Sequence, residues 1–295
     1  MLFSSPSFRS GLFPQLTQWR RTLRYLLETE VHVYAFSMAA NILLSFFPFF
    51  IVMISICRYL LQWNAAEQAI YIAIGDYFPD GRFGDFIIRN LRAVVAQRGP
   101  FQIVSVLLLL FTANGIFEPL EVALNRAWGI TKNRSYLRNQ LVSLGLIFAC
   151  GGLALLSTVL TALNQELLVK LGIASESTAF LGAMVFKLAA VPISILMLFL
   201  IYWVLPNAKI PVAPLLPVSL LVGVALELLK NVNLWTWPWL RMKLNHEYGP
   251  FVYSVTIVLW GFLASMVVLA GAEWAARSRE EAARLEGLQT TGAVD

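Results

Sequence analysis

From Val33 to Ile56 the chain runs for 24 residues without one charged side chain. A helix of about 20 apolar residues crosses the hydrocarbon core of a bilayer. Inside lipid the backbone must satisfy its own hydrogen bonds, which leaves helices and closed barrels as the only spanning structures. Similar apolar stretches recur at about 101–124, 141–163, 180–204, 214–234 and 251–274. The sequence therefore predicts an all-α polytopic membrane helix bundle of about six transmembrane helices. Composition agrees, with 58% hydrophobic and 13% charged residues in 295, where soluble domains carry about a quarter charged. Residues 1–32 form a basic arm ahead of the first span, which is too long for a signal-peptide core and has no small-residue cleavage site after it. Residues 275–295 read as a tail that starts as a short charged helix and ends disordered. Cys57 and Cys150 both lie in apolar runs, so no disulfide framework is expected.

Polar residues within the apolar runs are the candidate functional positions. Asn114, Glu118, Glu121 and Asn125 follow at spacings of four, three and four, which places them on one helical stripe. Lipid rejects such a stripe, so it is expected to face protein or a water-filled cavity. Pro119 is expected to bend or break that helix. In the first span Ser37, Asn41 and Ser45 share a face, followed by Pro48. They can serve either as a close-packing surface or as a wall of a polar cavity. In the fifth span Glu227, Lys230 and Asn231 form either a local ion pair or a polar site. Arg126 and Lys230 are candidates to compensate the carboxylates, and Pro206 ends the fourth span.

The segment 62–98 is an amphipathic helical loop. Phe83, Phe86, Ile87, Leu91, Val94 and Val95 repeat at helical spacing opposite Asp85, Arg89 and Arg92. This predicts a helix that lies at the interface or caps the bundle, with a second short helix over 65–77. Trp235, Trp237 and Trp239 suggest an aromatic belt in a connection spanning Leu234 to Gly249.

Six spans put both termini on one side. With termini inside, twelve basic residues lie inside and eight outside, so both termini are expected to be cytoplasmic by the positive-inside rule. The net charge of +5 then reflects cytoplasmic loops, and no nucleic-acid partner is expected. In this orientation Asn41 is about 12 Å and Asn114 about 15 Å from the cytoplasmic end of their spans. Glu227 is expected further out. The arrangement suggests a polar vestibule open to the cytoplasm with an apolar region beyond it.

The segments AFSMAANILLSFFPFF, EPLEVALNRAWGITKNRSYLR, YWVLPNAKIP and YGPFVYSVTIVLWGFLASMVVLAGAEWAA occur in this order. They resemble the YihY/virulence factor BrkB family over about Val31 to Ala276. The resemblance implies a bacterial inner-membrane protein of about six spans. The family also carries the label ribonuclease BN, which the residues do not support. A metal-dependent nuclease needs several His, Asp or Glu ligands around its metals, and this chain has only His32 and His246, expected at opposite surfaces. No enzyme activity, metal site or cofactor is expected.

Three functions fit these observations. One is a transporter, flippase or scramblase-like protein for a lipid or other amphiphile, with membrane lipids as its partners. The second is a proton- or ion-coupled carrier using Glu118, Glu121 and Glu227. The third is a non-transporting structural or interaction protein of the envelope. A homo-oligomer or an envelope partner is compatible with all three.

Overall fold

The computed structural model describes residues 21–77, 81–97, 100–131, 134–170 and 192–291. The side chains of 157–170, 278–291 and a few other helical positions, Asn114 among them, lie outside that description. The described regular structure is helical. After a short turn of helix at 21–26 come α1 (Thr29–Ser55), α2 (Asn64–Tyr77), α3 (Gly81–Ala96), α4 (Pro100–Ala127) and α5 (Tyr136–Lys170). These are followed by α6 (Pro192–Val204), α7 (Leu215–Tyr248) and α8 (Val252–Thr291). Among the described residues four helical stretches are long and apolar enough to cross a membrane, Thr29–Leu60, Tyr136–Leu156, Leu215–Tyr248 and Val252–Arg277. The chain is an all-α membrane bundle. Of the expected fourth span, 180–191 lies outside the described residues and α6 supplies the remainder.

Several boundaries differ from the sequence expectation. Pro119 does not break its helix, since α4 is continuous over 28 residues. The carbonyl that Pro119 leaves without an N–H partner belongs to Gly115, in the α1 contact described below. The expected connection from Leu234 to Gly249 is helix as far as Tyr248, running through Pro238. Proline is tolerated in membrane helices when neighbouring groups take up the released carbonyl. The tail is likewise not a separate element, because α8 continues unbroken from the last span to Thr291. Pro48 lies buried inside a continuous α1.

Helix register follows from small residues. Asn41 of α1 lies directly on Gly115 of α4, where a β-carbon would overlap its amide. Eleven residues nearer the start of α1, Glu30 pairs with Arg126, eleven residues beyond Gly115 on α4, so the two helices are antiparallel. Ala39 packs on Gly261 of α8, where an added β-carbon would sit 3.4 Å from the Ala39 Cα. Thr22 donates to Glu273 at 3.5 Å, which places the start of the described chain and the Glu273 stretch of α8 at one end of the bundle, called here the base. Val222 of α7 packs on Gly271, and Trp237 lies 6.1 Å from Tyr253 between ring centroids. Close approach through glycine and alanine is the usual means of helix association in lipid, where apolar burial supplies no driving force.

The opposite end carries a two-helix cap. After Ser55 the chain makes one widened turn over Ile56–Leu60 and reverses at Gln62, whose φ is +51°. Helices α2 and α3 then fold back over the end of α1. Ile87, Leu91 and Val95 of α3 are buried against Ala66, Ile70 and Ile74 of α2 and Ile54 and Cys57. The amphipathic face expected for α3 is thus the one that packs, although Phe86 is exposed. Tyr59 donates to the Val95 carbonyl at 2.7 Å, Arg58 pairs with Glu67 at 3.7 Å, and the Arg92 guanidinium lies over the Tyr71 ring.

Candidate functional site

The stripe on α4 divides between two environments. Glu118 is exposed, whereas Glu121 and Asn125 are buried, each 6% exposed. The Asn125 amide donates to Glu121 Oε1 at 3.5 Å, and its Oδ1 accepts from the backbone N–H of Asn207 at 2.9 Å. Glu121 Oε2 is buried with no hydrogen-bond partner among the described residues. Helix α4 then ends in a glycine-closed cap, with Gly129 at φ +63°. The Ile130 and Gly129 N–H groups return to the carbonyls of Asn125 and Arg126 at 2.7 and 3.1 Å. That pairing is the Schellman pattern, which needs a left-handed residue and so favours glycine. The Leu-Asn-Arg-Ala-Trp-Gly block therefore carries a helix stop.

The cap turns the chain so that Arg134 meets the end of α6. Its guanidinium donates to the carbonyls of Val204, Leu205 and Pro206 at 3.1, 3.1 and 2.6 Å. These are the groups that a helix C-terminus leaves without partners, and they carry the negative end of the helix dipole. Burial pushes the Arg134 pKa below its ordinary value, while the Glu121 carboxylate opposes that fall. Pro206 is buried and ends α6 as expected. Nearby, Glu273 of α8 pairs with Arg277 and accepts from Thr22. The base is a knot of polar residues holding α1, α4, α6 and α8.

The same interface changes character along its length. Along α1 and the widened turn after it, Asn41, Ser45, Pro48, Val52, Ser55, Ile56 and Tyr59 follow one another along one side. The Asn41 amide donates to Ser37 O at 2.9 Å and Ser45 to Ile42 O at 3.1 Å. At the cap end the interface opens into an apolar cleft of about 320 Å³ lined by Val52, Ser55, Ile56, Tyr59, Leu60 and Val106. The stripe is packed at Asn41, Glu121 and Asn125, whereas Glu118 is exposed. Asn41 fills its space against Gly115, and Glu121 and Asn125 are engaged at the base.

Glu227 and Lys230 pair with each other at 3.3 Å, and Asn231 donates to Glu227 O at 2.8 Å. Their depth differs from expectation. The contacts of α7 with α8 place Glu227 beside Ser265, and those of α8 with α1 place Ser265 near Ala35, which is opposite Glu121. Glu227 is level with Glu121 to within about a turn, not further out. The reason is that α7 starts at the base and is longer than the expected span. Arg126 pairs with Glu30 across α1 and α4. Among the described residues no group of His, Cys, Asp and Glu is placed to hold a metal.

The sequence reading did not single out Tyr202, Asn207, Arg134 or Glu273 as site residues. Tyr202 is fully buried and donates to the Val268 carbonyl of α8 at 2.8 Å. At the level of the sequence Arg134 counts only among the basic residues of the 125–139 loop that set orientation. The available signal was the Val-Leu-Pro helix end, whose carbonyls need donors.

A glycine-crossed bundle with a buried polar base and a helical cap defines a polytopic α-helical membrane protein. The chain belongs to the virulence factor BrkB family, whose sequence model matches residues 22–293. It is 25% identical over 219 residues to a UPF0761 membrane protein from Acinetobacter baylyi, covering 71% of this chain and 49% of that protein. A UPF0761 membrane protein from Glaesserella parasuis is 25% identical over 220 residues, 72% of this chain and 73% of its own. One from Pseudoalteromonas translucida is 21% identical over 267 residues, 86% and 83% of the two chains. The chain spans about half the length of some of these curated relatives. No solved structure matches it at a significant level.

Proposed function

We propose that this protein handles an amphiphile, a membrane lipid or lipid-linked envelope precursor, along the interface between α1 and α4. The observation that carries this reading is the apolar cleft at the cap end of that interface, continuous with the face bearing Ser45 and Asn41. Val52, Ile56, Leu60 and Val106 offer an acyl chain an apolar wall. Asn41, Glu118 and Glu121 lie further along α1 and α4, where a head group would pass. In this reading the chain sits in a bacterial inner membrane with both termini cytoplasmic, so the cleft opens in the outer leaflet. The packed seam at Asn41 and Gly115 is then the closed point of the path.

A second reading, a non-transporting envelope protein, is favoured by the tight base around Arg134, Asn125 and Glu273. Reconstitution into liposomes holding a fluorescent phospholipid separates the two. Movement of the label to the opposite leaflet is expected above empty liposomes, and Val52→Trp, which fills the cleft, is expected to slow it several-fold. A rate equal to that of empty liposomes would remove the lipid-path reading and leave the structural one.

A further inference from the structure

Ser55 is the last residue of α1, and the chain leaves the α-helix directly after it in the widened turn Ile56–Leu60. Such turns are rare and often stand at functional sites. Ile56, Tyr59 and Leu60 of the turn line the apolar cleft, together with Val52 and Ser55 of α1 and Val106 of α4. Two hydroxyl side chains therefore belong to its wall. That of Tyr59 is committed to the Val95 carbonyl at 2.7 Å. That of Ser55 is buried and has no hydrogen-bond partner among the described residues. Elsewhere in this chain such hydroxyls return to a carbonyl of their own helix, as Ser45 does to Ile42, Thr112 to Leu108 and Thr256 to Val252. Ser143, Ser219 and Ser265 share the state of Ser55, but of these four only Ser55 lines the cleft. A hydroxyl left unpaired in apolar surroundings is costly, which points to an acceptor supplied from the cleft.

The height of Ser55 in the membrane identifies that acceptor. It stands 22 residues beyond Val33, where the uncharged run begins, about 33 Å along the helix. The hydrocarbon core of a bilayer is about 30 Å thick. Ser55 is thus level with the edge of that core on the cap side, where the ester carbonyls of glycerolipids lie. We propose that the cleft binds a diacyl glycerophospholipid, whose ester carbonyl accepts from the Ser55 hydroxyl while the acyl chain lies against Val52, Ile56 and Val106. This rests on the reading of the α1–α4 interface as a lipid path, and it gives Ser55 the polar contact at the cap end of that path. Rotation about the Cα–Cβ bond turns Oγ among its staggered positions, so the hydroxyl can face the cleft without movement of the backbone. One polar group in an otherwise apolar pocket is the usual means of fixing a ligand's orientation. Here it holds the chain on the membrane side of Ser55 and the head group on the cap side.

Competition for photolabelling of the purified full chain in detergent tests this contact. The probe is a phosphatidylglycerol carrying a diazirine on one acyl chain, and label is located by mass spectrometry of the peptides. Label is expected to be enriched several-fold at 52–60 over the segment of α7 that exposes Leu216 and Leu220. Ester-linked phosphatidylglycerol is expected to displace it at several-fold lower concentration than the ether-linked analogue, which keeps the head group and chains but has no carbonyl. In Ser55→Ala the two competitors should become equal, and in Ser55→Thr, which keeps a hydroxyl, the ester should stay ahead. Equal competition in the parent chain, which needs no variant, or an undiminished ester preference in Ser55→Ala would overturn the contact and leave the lipid path standing. Absence of enrichment at 52–60 would overturn both.

Discussion

The hydroxyl of Tyr202 passes directly over Gly271 to reach the Val268 carbonyl, 2.8 Å away. A β-carbon at 271 would stand 2.7 Å from that hydroxyl and would overlap a methyl of Val222. Three helices, α6, α7 and α8, meet at this point, and only glycine leaves room for both neighbours.

Gly271→Ala is therefore expected to destabilise the protein although alanine is the better helix former by about 1 kcal/mol. Overpacking of this kind costs about 1–3 kcal/mol, and neither Tyr202 nor Val222 can move away, since both are buried. The change should couple to Val222→Ala, because shortening Val222 removes one of the two obstacles. Thermal unfolding in detergent of both single variants and the double variant measures this. Strict additivity would show that the contact does not limit packing.

Arg134 holds three successive carbonyls at the end of α6. Arg134→Met leaves them without that donor and is expected to cost about 2–3 kcal/mol, the scale of hydrogen bonds to a charged group. Arg134→Lys should fall between the two, because an ammonium lacks the planar fork that spans several acceptors. Loosening at the base should also speed proteolysis within 205–214. A Met variant as stable and as resistant as the parent would contradict the role given to Arg134.

The bundle was legible in the sequence because its signal is length and apolarity, which act within each segment. The cap was legible because α3 alternates Ile87, Leu91 and Val95 with Asp85, Arg89 and Arg92 at helical period. The base was not. Its cross-helix contacts join residues far apart in the chain, Arg134 to Leu205 at 71 positions, Asn125 to Asn207 at 82 and Thr22 to Glu273 at 251, and no local period encodes such a pairing. The depth of Glu227 was missed for a related reason. Spans drawn from hydropathy end where Trp235 to Tyr248 become less apolar, but the helix there continues through Pro238.

Two tyrosines outside the spans tie stability to alkaline pH. Burial, with Glu273 and Glu28 nearby, raises Tyr25 from 10.0 to about 12. Burial and Glu67 raise Tyr71 from 10.0 to about 12. Both folded pKa values lie above the unfolded value, so the folded state holds the phenol protons more tightly. Their contribution is complete below pH 10 and is lost as pH rises through about 12. Melting temperature should fall over that window, and the fall should be shallower in Tyr25→Phe and Tyr71→Phe. An identical pH profile in the double Phe variant would rule these groups out as the cause.

The orientation of the bundle gives the last prediction. Arg126, Arg134, Arg138, Lys209 and Arg277 belong to the base, together with Arg21 and Arg24 of the first described turns. The cap end has Arg58, Arg82, Arg89 and Arg92, with Arg241 and Lys243 on the far end of α7, but Arg58 is paired with Glu67 and Arg92 lies over Tyr71. Cations committed within a folded cap weigh less in topology than those in short loops beside the spans. The base should therefore face the cytoplasm. Ser135 is exposed beside Arg134, and Asn90 is exposed on α3, so Ser135→Cys and Asn90→Cys report on opposite sides. With the outer membrane permeabilised, a membrane-impermeant thiol reagent should label Cys at 90 in intact cells and reach 135 only after the inner membrane is opened. The native Cys57 is fully buried and contributes little background, and Cys150→Ser removes the other thiol. Labelling at 135 in intact cells with protection at 90 would invert the orientation and place the α1–α4 cleft in the inner leaflet.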